Sequence, residues 1–243
     1  MEVEEIRGWL AEITEPFDII YVSGDTDSFA PPRANKGIEL LKALSQFGTD
    51  LLFTTRALLQ EDHLNELKEI SRHLRDRRKL LFGCVSVAQL TFPHLEPPPI
   101  AAPFARLEQL RRFHEDGLIA VLAVRPFLPL VPVKEYIHIV HRAQDYADIV
   151  LGEAWYADEA GVLEHKVFRG DVPPNIPFVE HPMDFDDNEV IWKVFEANEA
   201  QAGVAEYCQS IGVPFFMRSR PAIEWARAEF SQSATGSLGT KAM

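Results

Sequence analysis

Short apolar runs alternate with helix-spaced patterns along most of this chain. The runs cover residues 17–22, 51–55, 80–87, 118–124, 149–151 and 213–217, and are rich in Val, Ile, Leu or Phe. Continuous rather than alternating apolarity is the mark of a strand buried on both faces. Between the runs the apolar residues recur every third or fourth position. Ile38, Leu41, Leu44 and Phe47 form one such series, and Leu64, Leu67, Ile70 and Leu74 a second. Leu107, Leu110 and Phe113 form a third, and Ile137, Val140 and Ala143 a fourth. Gly48, Gly117 and Gly212 stand where a helix ends in a left-handed residue. Pro103 stands near the start of a helix, where its missing N–H costs nothing. A further helix is expected over 191–195, capped by the acidic stretch around His181, Asp184, Asp186 and Asp187.

Strand–helix–strand alternation at this spacing predicts right-handed parallel βα units. The pattern leaves two architectures, a doubly wound sheet or a barrel, and in both the ligand sits at the C-terminal ends of the strands. The expected layout is one α/β domain over residues 1–230. The small polar stretch 231–243 is expected to be a disordered tail.

Bulk composition narrows the function classes. The 243 residues suffice for one large core. A net charge of −13 disfavours attraction to nucleic-acid backbones and anionic membranes. No run approaches the ~20 apolar residues of a membrane helix. The acidic start has no apolar signal core, so the cytoplasm is the expected location. Cys84 and Cys208 stand far apart, and two cysteines form neither a disulfide framework nor a thiolate metal site. Both are expected to be buried thiols.

Polar residues cluster just after the apolar runs. Ser23, Gly24, Asp25, Thr26 and Asp27 follow the first run, and Thr54, Thr55 and Arg56 close the second. Ser86 ends the third, Arg125 the fourth, Glu153 to Tyr156 the fifth and Arg218 the sixth. Converging at one mouth, these groups suit a zwitterionic ligand. Asp25 or Asp27 would meet an ammonium, Arg56, Arg125 or Arg218 a carboxylate, and Thr54 or Ser86 hydroxyls.

The run Ile19-Ile20-Tyr21-Val22-Ser23-Gly24-Asp25-Thr26-Asp27 resembles the second strand and following loop of radical S-adenosyl-L-methionine (SAM) enzymes of the spore-photoproduct-lyase-like group. Leu95-Glu96-Pro97, Arg106-Leu107, Asp116-Gly117-Leu118 and Val124-Arg125-Pro126, with Glu135 just after, resemble later landmarks of that group. The likeness covers roughly residues 17–156. It implies a partial TIM-type barrel of about six parallel strands, with the first strand of the family barrel missing. It implies SAM as cofactor, with Ser23, Gly24, Asp25 and Thr26 near the amino-acid end. Ser86 would lie near the ribose and Arg125 near the carboxylate or adenine, with Trp155 and Tyr156 shaping the far wall.

The family's radical chemistry uses a 4Fe–4S cluster held by a C-x3-C-x2-C loop. Only 22 residues precede Ser23 and none is cysteine. The resemblance therefore implies an N-terminally truncated protein or a degenerate relative, with the cluster expected only in a full-length form. A barrel lacking its first strand has an open edge, which predicts a homodimer.

Two other classes remain as alternatives. One is a non-catalytic SAM-binding or scaffold module. The other is a cofactor-free barrel lyase or hydrolase using Asp25 or Asp27 with an arginine, and no lysine stands in the strand-end clusters to support its Schiff-base version. Catalytic residues, substrate and reaction outcome are not readable. Glu135, His138 and His141 share a helical face, which is expected to be solvated rather than metal-binding. The basic run Arg72 to Lys79 suits a helix C-terminus. No dinucleotide, P-loop or G-x-S-x-G motif occurs.

Overall fold

The computed structural model describes residues 3–15, 17–22, 27–96, 99–157, 176–182 and 191–230. After helix α1 (Val3–Glu12) come β1 (Ile19–Val22), α2 (Ala34–Leu44), β2 (Asp50–Thr55), α3 (Glu61–Asp76) and β3 (Leu81–Ser86). Then follow α4 (Pro103–Glu115), β4 (Ile119–Ala123), α5 (Val133–Ala143) and β5 (Ile149–Leu151). The chain continues through β6 (Trp155–Ala157), β7 (Val179–Pro182), β8 (Ile191–Phe195), α6 (Asn198–Ser210), β9 (Phe215–Phe216) and α7 (Ser219–Phe230). Six strands form a parallel sheet in the order β1-β2-β3-β4-β5-β9. Successive strands are neighbours, so right-handed crossovers put the connecting helices on one face and leave the other concave. This is a partial TIM-type barrel, as the sequence predicts. Gly48, Gly117 and Gly212 have φ of 68°, 85° and 69°, and Pro103 opens α4.

Register sorts the side chains into two cores. Val22, Phe53, Leu81, Val85, Leu122 and Val150 face the helices. Leu52, Phe82, Cys84, Val121, Ile149 and Leu151 face inward. There α7 lies against them with Ala222, Ile223 and Ala226. Its two alanines let the helix approach the strands closely. Each Leu or Phe so enclosed contributes about 1.5–3 kcal/mol. The last turn of α7 is pinned across the base of the sheet. Arg227 donates to Asp18 Oδ2 and Asp50 Oδ2, both at 2.5 Å.

The structure corrects several expectations. Residues 191–195 form a strand, not a capped helix. β8 is the centre of a three-stranded antiparallel sheet, β6-β8-β7. The segment Ile-Trp-Lys-Val-Phe is β-branched and aromatic, which suits a half-buried strand better than a helix. This sheet is inserted in the crossover from β5 to β9, ahead of α6. Trp155 and Tyr156 belong to it rather than to the end of the fifth barrel strand. The sixth barrel strand is shorter than its apolar run, covering only Phe215 and Phe216. The loop Ser23–Thr26, Pro97, the acidic residues Asp184, Asp186 and Asp187, and the tail 231–243 lie outside the described residues. No described helix is long and apolar enough to cross a membrane.

Candidate ligand site at the mouth of the half-barrel

At the C-terminal ends of the strands the concave face turns polar. In-register pairing brings Thr54 beside Cys84, and the alternation that points Ala123 and Leu151 inward also points Arg125 and Glu153 inward. Tyr21 completes the set from β1. Its hydroxyl lies 2.8 Å from Thr54 Oγ1 and accepts a bond of 2.9 Å from Arg125 Nη2. Arg125 Nη1 lies 3.7 Å from Glu153 Oε2, and Tyr156 donates to Glu153 Oε1 at 3.4 Å. The result is a chain of polar groups from the edge strand to the inserted sheet.

Burial tunes these groups. It raises the Tyr21 phenol, against the opposing pull of Arg125, although Tyr21 as a whole is 43% exposed. The hydroxyl end is thus the desolvated part. Burial likewise raises the Cys84 thiol, with Arg125 and Thr54 opposing. For Arg125 burial works against the cation, but Cys84, Tyr21 and Glu153 around it tip the net shift upward. A permanently charged guanidinium therefore stands beside one loosely held carboxylate.

Each predicted site residue has a definite place or falls outside the described residues. Thr54 and Arg125 share the concave network. Ser86 is buried and donates to the Arg125 carbonyl at 3.1 Å, so it sets the backbone from which Arg125 projects. Asp27 turns its carboxylate onto its own chain. It accepts from Thr55 Oγ1 at 3.0 Å and from the N–H groups of Phe29, Arg56 and Ala57 at 2.9, 2.8 and 3.2 Å. It thereby ties the loop after β1 to the loop after β2. Ser23, Gly24, Asp25 and Thr26 lie outside the described residues. Trp155 is buried against the core. Tyr156 reaches Glu153 and stacks edge-on to Trp192 at 5.8 Å.

Sequence reasoning missed how the rim is braced. The landmarks Glu96 and Arg106 form one buried pair, and Arg106 Nη1 also donates to the Ser86 carbonyl. Gln109 accepts from Leu59 N–H at 2.7 Å and donates to the Ala57 carbonyl at 3.0 Å. Glu135, expected on a solvated face, is buried and accepts from Leu90 N–H, Thr91 N–H and Thr91 Oγ1 at 2.6, 2.8 and 2.5 Å. Tyr136 accepts from Leu128 N–H at 2.7 Å. Helices α4 and α5 thus each send polar side chains into the βα loops. These buried bonds rigidify the loops they hold, although Arg106 Nε itself finds no partner among the described residues.

Structures of spore photoproduct lyase match this architecture. One variant with bound AdoMet and dinucleoside spore photoproduct superposes with a TM-score of 0.67 at 10% identity, covering 89% of this chain and 66% of the lyase. Another variant gives 0.66 at 10% with the same coverage. The lyase complexed with the dinucleoside spore photoproduct gives 0.64 at 13%, again with that coverage. The fold is that of a radical SAM core barrel. At these identities the likeness is one of fold, and this chain spans just under two thirds of the lyase's length. No protein-family model and no curated sequence matches the chain.

The family that the sequence resembles carries a cluster in such a barrel, and the cysteines here do not fit one. Cys84 is enclosed on the concave face of β3 and Cys208 in α6 on the opposite side of the sheet. A 4Fe–4S cluster takes several cysteine thiolates converging on one point. Among the described residues no group of His, Cys, Asp or Glu converges as a metal site.

Proposed function

We propose that this chain is a SAM-binding half-barrel of radical-SAM type, and that by itself it binds SAM without cleaving it. The supporting observation is the concave network of Tyr21, Thr54, Arg125 and Glu153 at the strand ends of a radical-SAM fold. SAM carries an α-amino acid, a sulfonium and an adenosine. In this reading Arg125 takes its carboxylate and Glu153 one of its cationic groups. Thr54 offers a hydroxyl partner. The segment Ser23–Thr26 follows β1 in sequence, and its resemblance assigns it the amino group. Asp27, bonded to Phe29, Thr55, Arg56 and Ala57, acts as a positioning residue. Reductive cleavage of SAM needs an electron from a cluster, and neither buried cysteine offers it a ligand. A complete radical enzyme would draw those thiolates from outside these 243 residues.

Calorimetric titration of the purified chain with SAM tests the reading. The expected dissociation constant is micromolar, weakened about tenfold or more in Arg125→Gln, a loss of about 1.4 kcal/mol or greater. Anaerobic reconstitution with iron and sulfide should leave no stable cluster absorbance. A folded sample that takes up no SAM points instead to a scaffold role, and a stoichiometric cluster overturns the second half of the proposal.

A further inference from the structure

The first barrel strand is a sheet edge. Among the described residues β1 pairs only with β2. In a parallel ladder, alternate residues direct both backbone groups to the same neighbour. The Asp18 carbonyl accepts from Asp50 N–H at 3.2 Å. Ile20 and Val22 therefore face β2, while the N–H and C=O groups of Ile19 and Tyr21 point away from the sheet. No described residue bonds them.

This edge adjoins apolar surface. A cavity of about 220 Å³ opens between β1 and α7, with Ile19, Tyr21, Leu52 and Ile223 in its lining. Its charged residues are balanced, Asp18 and Glu224 against Arg220 and Arg227, in a chain whose net charge is −13. Trp9 in α1 and Ile13 just after it, on the segment leading into β1, are 58% and 49% exposed. Exposed edges with apolar flanks are sites of strand addition.

We propose that β1 pairs antiparallel with β1 of a second copy, joining two half-barrels into one continuous sheet. The register is self-complementary. Placing the two-fold axis at Ile20 sets Ile19 opposite Tyr21 of the second copy, and Tyr21 opposite Ile19. Both are then hydrogen-bonded pairs, and every outward N–H and C=O of the edge finds a partner. Ile20 faces Ile20 in a non-hydrogen-bonded pair. The interface is isologous and closes at a dimer. The balanced rim meets its own copy without local repulsion, while the overall negative charge opposes association at long range. The dimer therefore tightens as salt rises and screens that repulsion. This inference does not depend on SAM binding.

Sedimentation equilibrium of the full chain is the first measurement. The expected mass is twice 27.5 kDa, with a larger dimer fraction at 0.15 M salt, where the screening length is about 8 Å, than at low salt. Ile19→Pro removes one outward donor while leaving the β1–β2 ladder intact, and should give a folded monomer. Ile20→Cys tests the register and keeps the proposal open to refutation even if the proline variant unfolds. Cα atoms of a non-hydrogen-bonded antiparallel pair lie about 4.5 Å apart, within disulfide reach. Oxidation with diamide should therefore give a covalent dimer, while the native thiols are buried. A chain that stays monomeric at high concentration overturns the proposal. So does a dimer that survives Ile19→Pro, or one in which Ile20→Cys fails to cross-link. Retained dimerisation in a sample that binds no SAM would sink the functional reading alone.

Discussion

Glu96 and Arg106 meet as a doubly bonded ion pair sealed inside the protein, at 3.0 Å from Nη1 to Oε1 and 2.5 Å from Nη2 to Oε2. Their side chains are 3% and 0% exposed. Gln89 Nε2 adds a third bond to Glu96 at 3.1 Å, and Arg106 reaches the Ser86 carbonyl. The pair therefore anchors the long loop after β3 to the C-terminal end of β3 itself. A buried pair contributes little net stability over an apolar replacement, but an orphaned buried charge is costly.

Arg106→Ala should accordingly destabilise the protein by about 3–5 kcal/mol, because Glu96 is left charged and dry. Replacing both partners, as in Glu96→Leu with Arg106→Met, should recover much of that loss. Urea unfolding of the single and double variants measures it. If the double variant falls by the sum of the single losses, the two residues act independently and the coupling assigned to them is wrong.

Much of the scaffold was legible before the structure, and the reason is local. Residues such as Leu51, Phe82 and Val121 lie in strands buried on both faces, so continuous apolar runs betray them. Gly117 and Gly212 mark helix ends because a positive φ disfavours other residues. The mouth was legible only as a list of types. Thr54 and Arg125 stand out because they close apolar runs, whereas Tyr21 does not because it sits inside one. Its inward direction follows from its register with Leu52, a property of the sheet rather than of the sequence. The pairing of Glu96 with Arg106 and the reach of Glu135 to Leu90 are long-range contacts that no local pattern encodes. The strand Ile191–Phe195 was misread because a short apolar segment fits either period.

Glu135 gives the loop after β3 an acid-sensitive brace. Burial works to raise its pKa, but bonds from Thr91 and Leu90 outweigh that and hold it below its ordinary value of 4.5. With the folded value depressed, the stability from Glu135 is full above the unfolded value near 4.5. It is lost as the pH falls through the lowered folded value. Glu135→Gln should therefore cost about 1–3 kcal/mol near neutral pH, and the gap to the unaltered protein should narrow on acidification. Urea midpoints across pH 3–7 would reveal a gap of constant size if the carboxylate plays no such part.

Arg227 links the last helix to the base of the first two barrel strands. Besides Asp18 and Asp50 side chains it donates to the Asp18 carbonyl at 2.7 Å. The Asp50 carboxylate also accepts from Leu80 N–H at 2.9 Å, so one aspartate serves α7 and the start of β3. Asp50 is only 4% exposed in this pair, whereas Asp18 is 71% exposed. The Asp50 bond therefore dominates, and the Asp18 bond is largely screened. Arg227→Ala should cost about 1.5–3 kcal/mol. It should also speed amide exchange in α7 ahead of the sheet, as expected for an element freed at one end. Uniform exchange across α7 and β2 in the variant would mean that the helix is held by Ile223 and Ala226 packing alone.

Cys84 and Cys208 should be chemically silent in the folded protein. Both are free and buried. Burial raises both thiols, that of Cys208 to about 12, and that of Cys84 despite the nearby Arg125. A thiol attacks only as its thiolate, and only where a reagent can reach it. Ellman's reagent at pH 8 should therefore label neither residue over minutes, and both once guanidinium unfolds the chain. The order of labelling at intermediate denaturant carries further information. Cys84 shares one apolar cluster with α7 on the concave face, so Arg227→Ala should expose it first. Cys208 sits among helices on the other face and should respond only to global unfolding. Rapid labelling of Cys84 in the native protein would show that α7 does not seal the apolar cluster it shares with Phe82 and Val121.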